Sequence, residues 1–189
     1  MAAESSRVAL GTSAPDFTLP DAEGAMVSLR DFSGSEGYLV VFMCNHCPYV
    51  QHIAAGFARL ARAFIEKGIA VVAINPNDAV AYPEDSVEKM AEYAKRYSYP
   101  FPYLCDESQE VARQYQAVCT PDFFLFDKER KLVYRGQMDA SRPGNSIPVT
   151  GEDLGAAVDA VLEGGLVSQA QRPSIGCSIK WKEETLSPS

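Results

Sequence analysis

No run in this chain approaches the eighteen or more apolar residues that a membrane-spanning helix needs, so no such helix is expected within it. Met1 to Gly11 lack the basic start and apolar core of a secretory leader, and a cytoplasmic location is therefore expected. Basic residues are in the minority. Lys and Arg number 17 against 25 Asp and Glu, a net charge of −8, which argues against nucleic acid as a partner. Five cysteines are too few and odd in number for a stapled secreted framework, and they fit reducing surroundings. No repeat or low-complexity tract is visible. What remains is 189 residues with 47% hydrophobic content, enough for one well-buried domain and short for two.

Against that background Cys44-Asn45-His46-Cys47-Pro48 stands out. Before it lies a short apolar run rich in strand formers, Tyr38 to Met43. After it, Val50, Ile53, Ala54, Phe57, Leu60, Ala61, Phe64 and Ile65 recur at helical spacing. Two thiols at a strand-to-helix junction sit where unpaired N–H groups and the helix dipole stabilise an anion. The thiolate is the form that attacks a disulfide. His46, if protonated, adds positive charge, and the expectation is a low-pKa Cys44. A zinc ribbon also begins with Cys-x-x-Cys, but a closed site needs two more ligands. Cys105, Cys119 and Cys177 are isolated, and the only other histidine is His52. No metal is expected.

The chain reads as alternating α/β. Ala14–Pro20 and Met26–Leu29 around a turn suggest an N-terminal hairpin. A strand at 38–43, a helix at 48–67 ending near Gly68, and a continuously apolar strand at 69–74 follow. A helix is expected over 83–97, an extended piece at 101–104, and a helix at about 107–116 capped by Asp106. Residues 122–126 and 131–135 flank a turn and form a hairpin, Thr150 opens a helix to about 163, and little is periodic from Gly164 onward.

Parallel strands joined by helices, then a hairpin and a covering helix, match the thioredoxin fold. The chain resembles the thioredoxin-like branch of the peroxiredoxin and redoxin (AhpC/TSA-type) superfamily. It looks most like small bacterial members that carry Phe-Met-Cys-Asn-His-Cys-Pro-Tyr-Val early and Gly-Cys-Ser-Ile-Lys-Trp late, here Phe42 to Val50 and Gly176 to Trp181. The resemblance implies a single thioredoxin-like domain: an N-terminal extension over 1–36, a core of mixed sheet flanked by helices over 37–163, and a tail over 164–189. It implies Cys44 as attacking thiol and Cys47 as resolving thiol, with His46 tuning them. Thr120-Pro121 resembles the turn that faces the dithiol with its proline cis, leaving the Thr120 backbone free to pair with an incoming peptide. No cofactor beyond a Cys44–Cys47 disulfide is implied. Partners are protein disulfide or dithiol substrates and a thiol electron donor, with the chain a monomer or weak dimer. Two departures from thioredoxin stand out: no carboxylate is visible behind the dithiol, where the strand offers Tyr38, Val40 and Val41, and Met43 precedes the first cysteine where thioredoxin has Trp.

Cys105 and Cys119 read as buried structural thiols. Cys177, in an aperiodic tail, is either a third redox thiol or an anchor. Tyr49, Phe101, Tyr103 and Phe123 read as core or as the wall of a partner groove. Two rival functions come from other classes. A thiol peroxidase resembling this superfamily uses Pro-x-x-x-Thr-x-x-Cys, but the matching positions are Gly37 and Val41 before Cys44, and Val40 and Cys44 before Cys47. Arg135 is the positive charge on offer, and in a hairpin it is expected to be solvated. Metal carriers that resemble this fold have Cys-x-x-x-Cys with a distant His, whereas here the spacing is one residue shorter and no His follows His52; a non-redox module would keep its function without Cys44.

Overall fold

A computed structural model describes residues 2–183. In chain order the strands and helices are β1 (Ala2–Glu4), β2 (Thr18–Pro20), β3 (Met26–Ser28), β4 (Gly37–Phe42), α1 (Pro48–Glu66), β5 (Ile69–Asn75), α2 (Val87–Tyr97), β6 (Tyr103–Cys105), α3 (Glu110–Gln114), β7 (Cys119–Thr120), β8 (Asp122–Asp127), β9 (Leu132–Gly136), α4 (Glu152–Leu162) and β10 (Ile175–Ser178). The central sheet has the order β6-β5-β4-β8-β9, with β4, β5 and β6 parallel and β8 and β9 antiparallel to their neighbours. This is the thioredoxin fold, preceded by the β2–β3 hairpin. Among the described residues no helix is long and apolar enough to cross a membrane.

Strand alternation divides the core. Leu39 and Val41 on β4, with Val71 and Ala73 on β5, face the layer that holds α1, α4 and both cysteines of the motif. Tyr38, Val40, Phe42, Val72 and Ile74 face the other layer, where Phe17, Leu29, Tyr115 and Phe124 pack. Each fully buried aliphatic or aromatic side chain here contributes about 1.5–3 kcal/mol. Helix α1 buries the expected stripe except at Leu60, which is half-buried, and at Ile65 near its end, which is exposed. It stops at Lys67, with Gly68 supplying the positive φ of 95° that follows.

Three expectations need correction. Asp106 does not cap α3, whose N-cap is Gln109; its carboxylate instead accepts the Ala112 N–H at 2.8 Å, and the helix is shorter than expected. The helix expected over 83–97 is broken: Pro83–Asp85 is a 3₁₀ turn, and Ser86 in extended geometry caps α2 by accepting the Lys89 N–H. That break turns Asp85 inward. The region after Gly164 is not without structure either. Strand β10 is the middle of a small sheet, with β1 on one side and β7 on the other. Four residues with a glycine among them give no strand signal alone; their partners make the strand.

Candidate active site

The loop from Cys44 to Cys47 links the end of β4 to the head of α1, and both cysteines are fully buried. Polar bonds from distant segments fix it. The Asn45 N–H donates to Asp85 Oδ1 at 2.7 Å, and its side-chain amide donates to the Glu84 carbonyl at 2.9 Å. Tyr103 donates its hydroxyl to Asn45 Oδ1 at 3.0 Å, and Gln51 donates to the Asn45 carbonyl at 3.0 Å. His46 Nδ1 lies 2.6 Å from Asp85 Oδ2, which places a proton between them and so defines the tautomer, while the ring stacks on Tyr82 at 5.3 Å.

Asp85 is thus the buried carboxylate that the strand behind the dithiol lacks. It comes from the 3₁₀ turn after β5, and it also accepts from Asn77 at 2.8 Å and Asn75 at 3.4 Å. Cys44, His46 and Asp85 place their ligating atoms within 4.8 Å of one another. The carboxylate oxygens are already turned to N–H donors, and the histidine nitrogen nearest them faces the same carboxylate. The donor set therefore fits a hydrogen-bonded network better than a metal clasp.

On the opposite side the Thr120–Pro121 peptide is cis. Thr120 bridges the two sulfurs: its Oγ1 lies 3.2 Å from Cys44 Sγ, and its carbonyl accepts from Cys47 Sγ at 3.2 Å. The dithiol therefore has two places for one proton. It sits on Cys47 pointing at the Thr120 carbonyl, or on Cys44 pointing at Cys47.

The surroundings favour the second arrangement. The hydrogen bond to Cys47 pushes Cys44 well above the ordinary thiol range, with burial and the charge of Asp85 adding to it. The same bond pulls Cys47 down against its burial, helped by the Cys177 thiol and by the N–H groups of Val50 and Cys177. The expectation of a low-pKa Cys44 is not what these directions give: the bond to Cys47, burial and the charge of Asp85 push Cys44 up, while Cys47, at the cap of α1, is pulled down.

The expectation that the Thr120 backbone stays free is corrected as well. Thr120 pairs with Cys177 of β10, and Cys119 with Ser178. The chain's own strand occupies the edge that an incoming peptide would use. This strand is firmly held. Its β1 partner pairs Ala2 with Cys177, Ser174 donates its hydroxyl to the Gly136 carbonyl at 2.7 Å, and beyond it the Lys180 N–H meets Asn77 Oδ1 at 2.9 Å. Gly176 passes so near Thr120 that only a residue without a side chain fits.

Cys177 is half-buried and packs against the cluster that contains Cys44 and Cys47. Cys119 is buried beside the pair, its thiol pushed up by burial, and Cys105 sits half-buried at the end of β6, also pushed up by burial. Phe101 and Tyr103 are core; Phe123 is buried too but, with half-buried Tyr49, Pro121, Met138 and Ile175, also lines a groove beside the cis peptide. Arg135 is not solvated. It is buried, paired with Asp122 at 2.9 Å and placed over the Phe124 ring at 4.3 Å.

A thioredoxin fold with Cys-x-x-Cys at the head of its first long helix and a cis Thr-Pro opposite is the architecture of a thioredoxin-like redox protein. The model of the AhpC/TSA family matches residues 10–135, and the chain belongs to that family. It is 32% identical over 129 residues to the thiol-disulfide oxidoreductase ResA of Geobacillus thermodenitrificans, covering 68% of this chain and 70% of that one. It is also 31% identical over 128 residues to a Coxiella burnetii protein that carries a peroxiredoxin name, bcp, covering 68% and 78%. A crystal structure of a hypothetical protein from Sinorhizobium meliloti 1021 is 53% identical, with a TM-score of 0.94 over 95% of this chain and 98% of that one.

Proposed function

We propose that this chain is a thiol–disulfide oxidoreductase whose redox couple is Cys44 and Cys47, acting without an organic cofactor. The observation that carries the reading is geometric: two buried sulfurs at the strand-to-helix junction, each 3.2 Å from an atom of Thr120, form a pair placed to lose two electrons and close a disulfide. Exchange runs through a mixed disulfide on one sulfur that the other displaces. The resemblance assigns first attack to Cys44; the charge layout favours Cys47, because the anion is stabilised there. His46, part-exposed and held by Asp85, carries the proton of Cys44 between the buried pair and solvent.

The test is the redox equilibrium of the pair against glutathione, with acid quench, alkylation and mass spectrometry, and Cys44→Ser as control. The expected result is a reversible two-electron couple between about −270 and −120 mV. Absence of a Cys44–Cys47 disulfide at every poise overturns the reading.

A thiol peroxidase is the second reading. The Thr120 hydroxyl beside Cys44 favours it, as a hydroxyl that could hold a peroxide oxygen. Against it, Arg135 is committed to Asp122. Hydrogen peroxide consumption by the reduced protein, compared with Cys44→Ser and Cys47→Ser, separates the two.

A further inference from the structure

We propose that Cys177 is a relay thiol that passes the disulfide between the buried Cys44–Cys47 pair and an external dithiol; this rests on the oxidoreductase reading above. Three observations meet here. Both sulfurs of the pair are inaccessible, with 0% exposure of either cysteine. The peptide-binding edge beside them is filled by β10, a strand paired on both sides, so a partner cannot lie down there without unzipping the small sheet. At that edge β10 places a cysteine opposite Thr120, the residue that bridges the pair, and packs it against the same cluster of buried side chains that holds Cys44 and Cys47.

The strand thus occupies the position of a bound substrate peptide and offers a thiol where a substrate cysteine would be. Unlike Cys44 and Cys47, Cys177 is only half-buried. Cys119, its neighbour across the same strand pair, is fully buried and in register with Ser178 instead.

The exchange balances. In the oxidised protein the Cys177 sulfur attacks Cys47 Sγ; the Cys47–Cys177 bond forms, the Cys44–Cys47 bond breaks, and Cys44 takes the proton that Cys177 gives up. No net oxidation occurs in this step. The disulfide has moved outward by one sulfur. An external dithiol then attacks Cys177, releasing Cys47 as the leaving thiolate, and its second thiol displaces Cys177 to close the external disulfide. Two electrons pass to the protein, which is left with three reduced cysteines. With an external disulfide the same steps run in reverse. A low-pKa thiol leaves fast, and the anion-stabilising groups around Cys47 suit it to that role.

The experiment uses the full chain. Cys44→Ser is treated with oxidised glutathione, quenched in acid and mapped by mass spectrometry, and a Cys47–Cys177 linkage is expected. Separately, pre-oxidised wild type, Cys177→Ser and Cys177→Ala are mixed with a reduced two-cysteine peptide. Both variants are expected to form the Cys44–Cys47 disulfide yet to oxidise the peptide at least about tenfold more slowly than wild type, because they lose an intramolecular step.

Equal rates in wild type and variants, or Cys44→Ser yielding only glutathione adducts, overturn the relay. If a Cys177 variant fails to fold, the linkage map in Cys44→Ser decides alone. Failure of the wild type to form a Cys44–Cys47 disulfide at all is a different result, since it strikes the oxidoreductase reading itself.

Discussion

The backbone of Gly176 runs against the carbonyl of Thr120 so closely that a methyl group on Gly176 would overlap that oxygen. Overpacking of this kind costs about 1–3 kcal/mol. Gly176→Ala is therefore expected to loosen β10 from β7 and to raise the iodoacetamide labelling rate of Cys44 and Cys47 by roughly tenfold, about 1.4 kcal/mol of easier opening. Unchanged labelling would show that the strand does not control access.

Asp85 anchors the loop between the cysteines from a buried position. Removing it leaves the Asn45 N–H, Asn77 and His46 without their acceptor. Asp85→Ala is expected to lose about 3 kcal/mol in urea unfolding, and Asp85→Asn less, since the amide keeps one acceptor oxygen. In the Asn variant Cys44 also loses the nearby charge that pushes it up, so its ionisation is expected at lower pH.

The shared proton sets a pH dependence. Cys47 is lowered to about 5 and Cys44 is raised, so near neutral pH the reduced pair holds one proton and the disulfide none. Reduction then takes two electrons with one proton. The midpoint potential is expected to fall by about 30 mV per pH unit between roughly pH 6 and 8, steepening to about 59 mV below roughly pH 5. Protein-film voltammetry or glutathione titration at several pH values reads the slope. For stability of the reduced protein the signs are opposite for the two sulfurs. The lowered Cys47 contributes stability that is full above the unfolded value of about 8.5 and is lost as pH falls through about 5. The raised Cys44 costs stability once pH exceeds about 8.5, where the unfolded chain ionises it and the fold does not.

Arg135 and Asp122 form an ion pair almost wholly out of water, and burial pushes the Asp122 carboxyl up to about 6 in spite of its partner. Arg135→Met is expected to cost about 3–5 kcal/mol by leaving that carboxylate unpaired, and Arg135→Met with Asp122→Leu less than that. Chemical denaturation of the single and double variants measures the coupling.

The parts of this molecule that declare themselves locally are legible in its sequence. The apolar run before Cys44 and the helical stripe after it place the dithiol at the head of α1, and the hairpin of β8 and β9 shows in its alternation. The parts that depend on partners are not. Asp85 lies in a Pro-Glu-Asp-Ser stretch that reads as a helix start, and nothing local says that its carboxylate meets a loop 40 residues earlier. Ile175–Ser178 becomes a strand only because β1 and β7 offer their edges. Arg135 looks like a solvated hairpin residue until Asp122, next to the cis proline, turns it inward.

The single tryptophan of the chain stands just past β10, with its indole 4.6 Å beneath the Arg113 guanidinium and partly open to water. The strand that closes over the sulfurs therefore carries its own fluorophore. Lifting of that strand is expected to change the emission of the indole and its collisional quenching by iodide, and no label or second indole has to be subtracted. Any opening of the site that lifts this strand is therefore expected to be readable in real time in the unmodified protein.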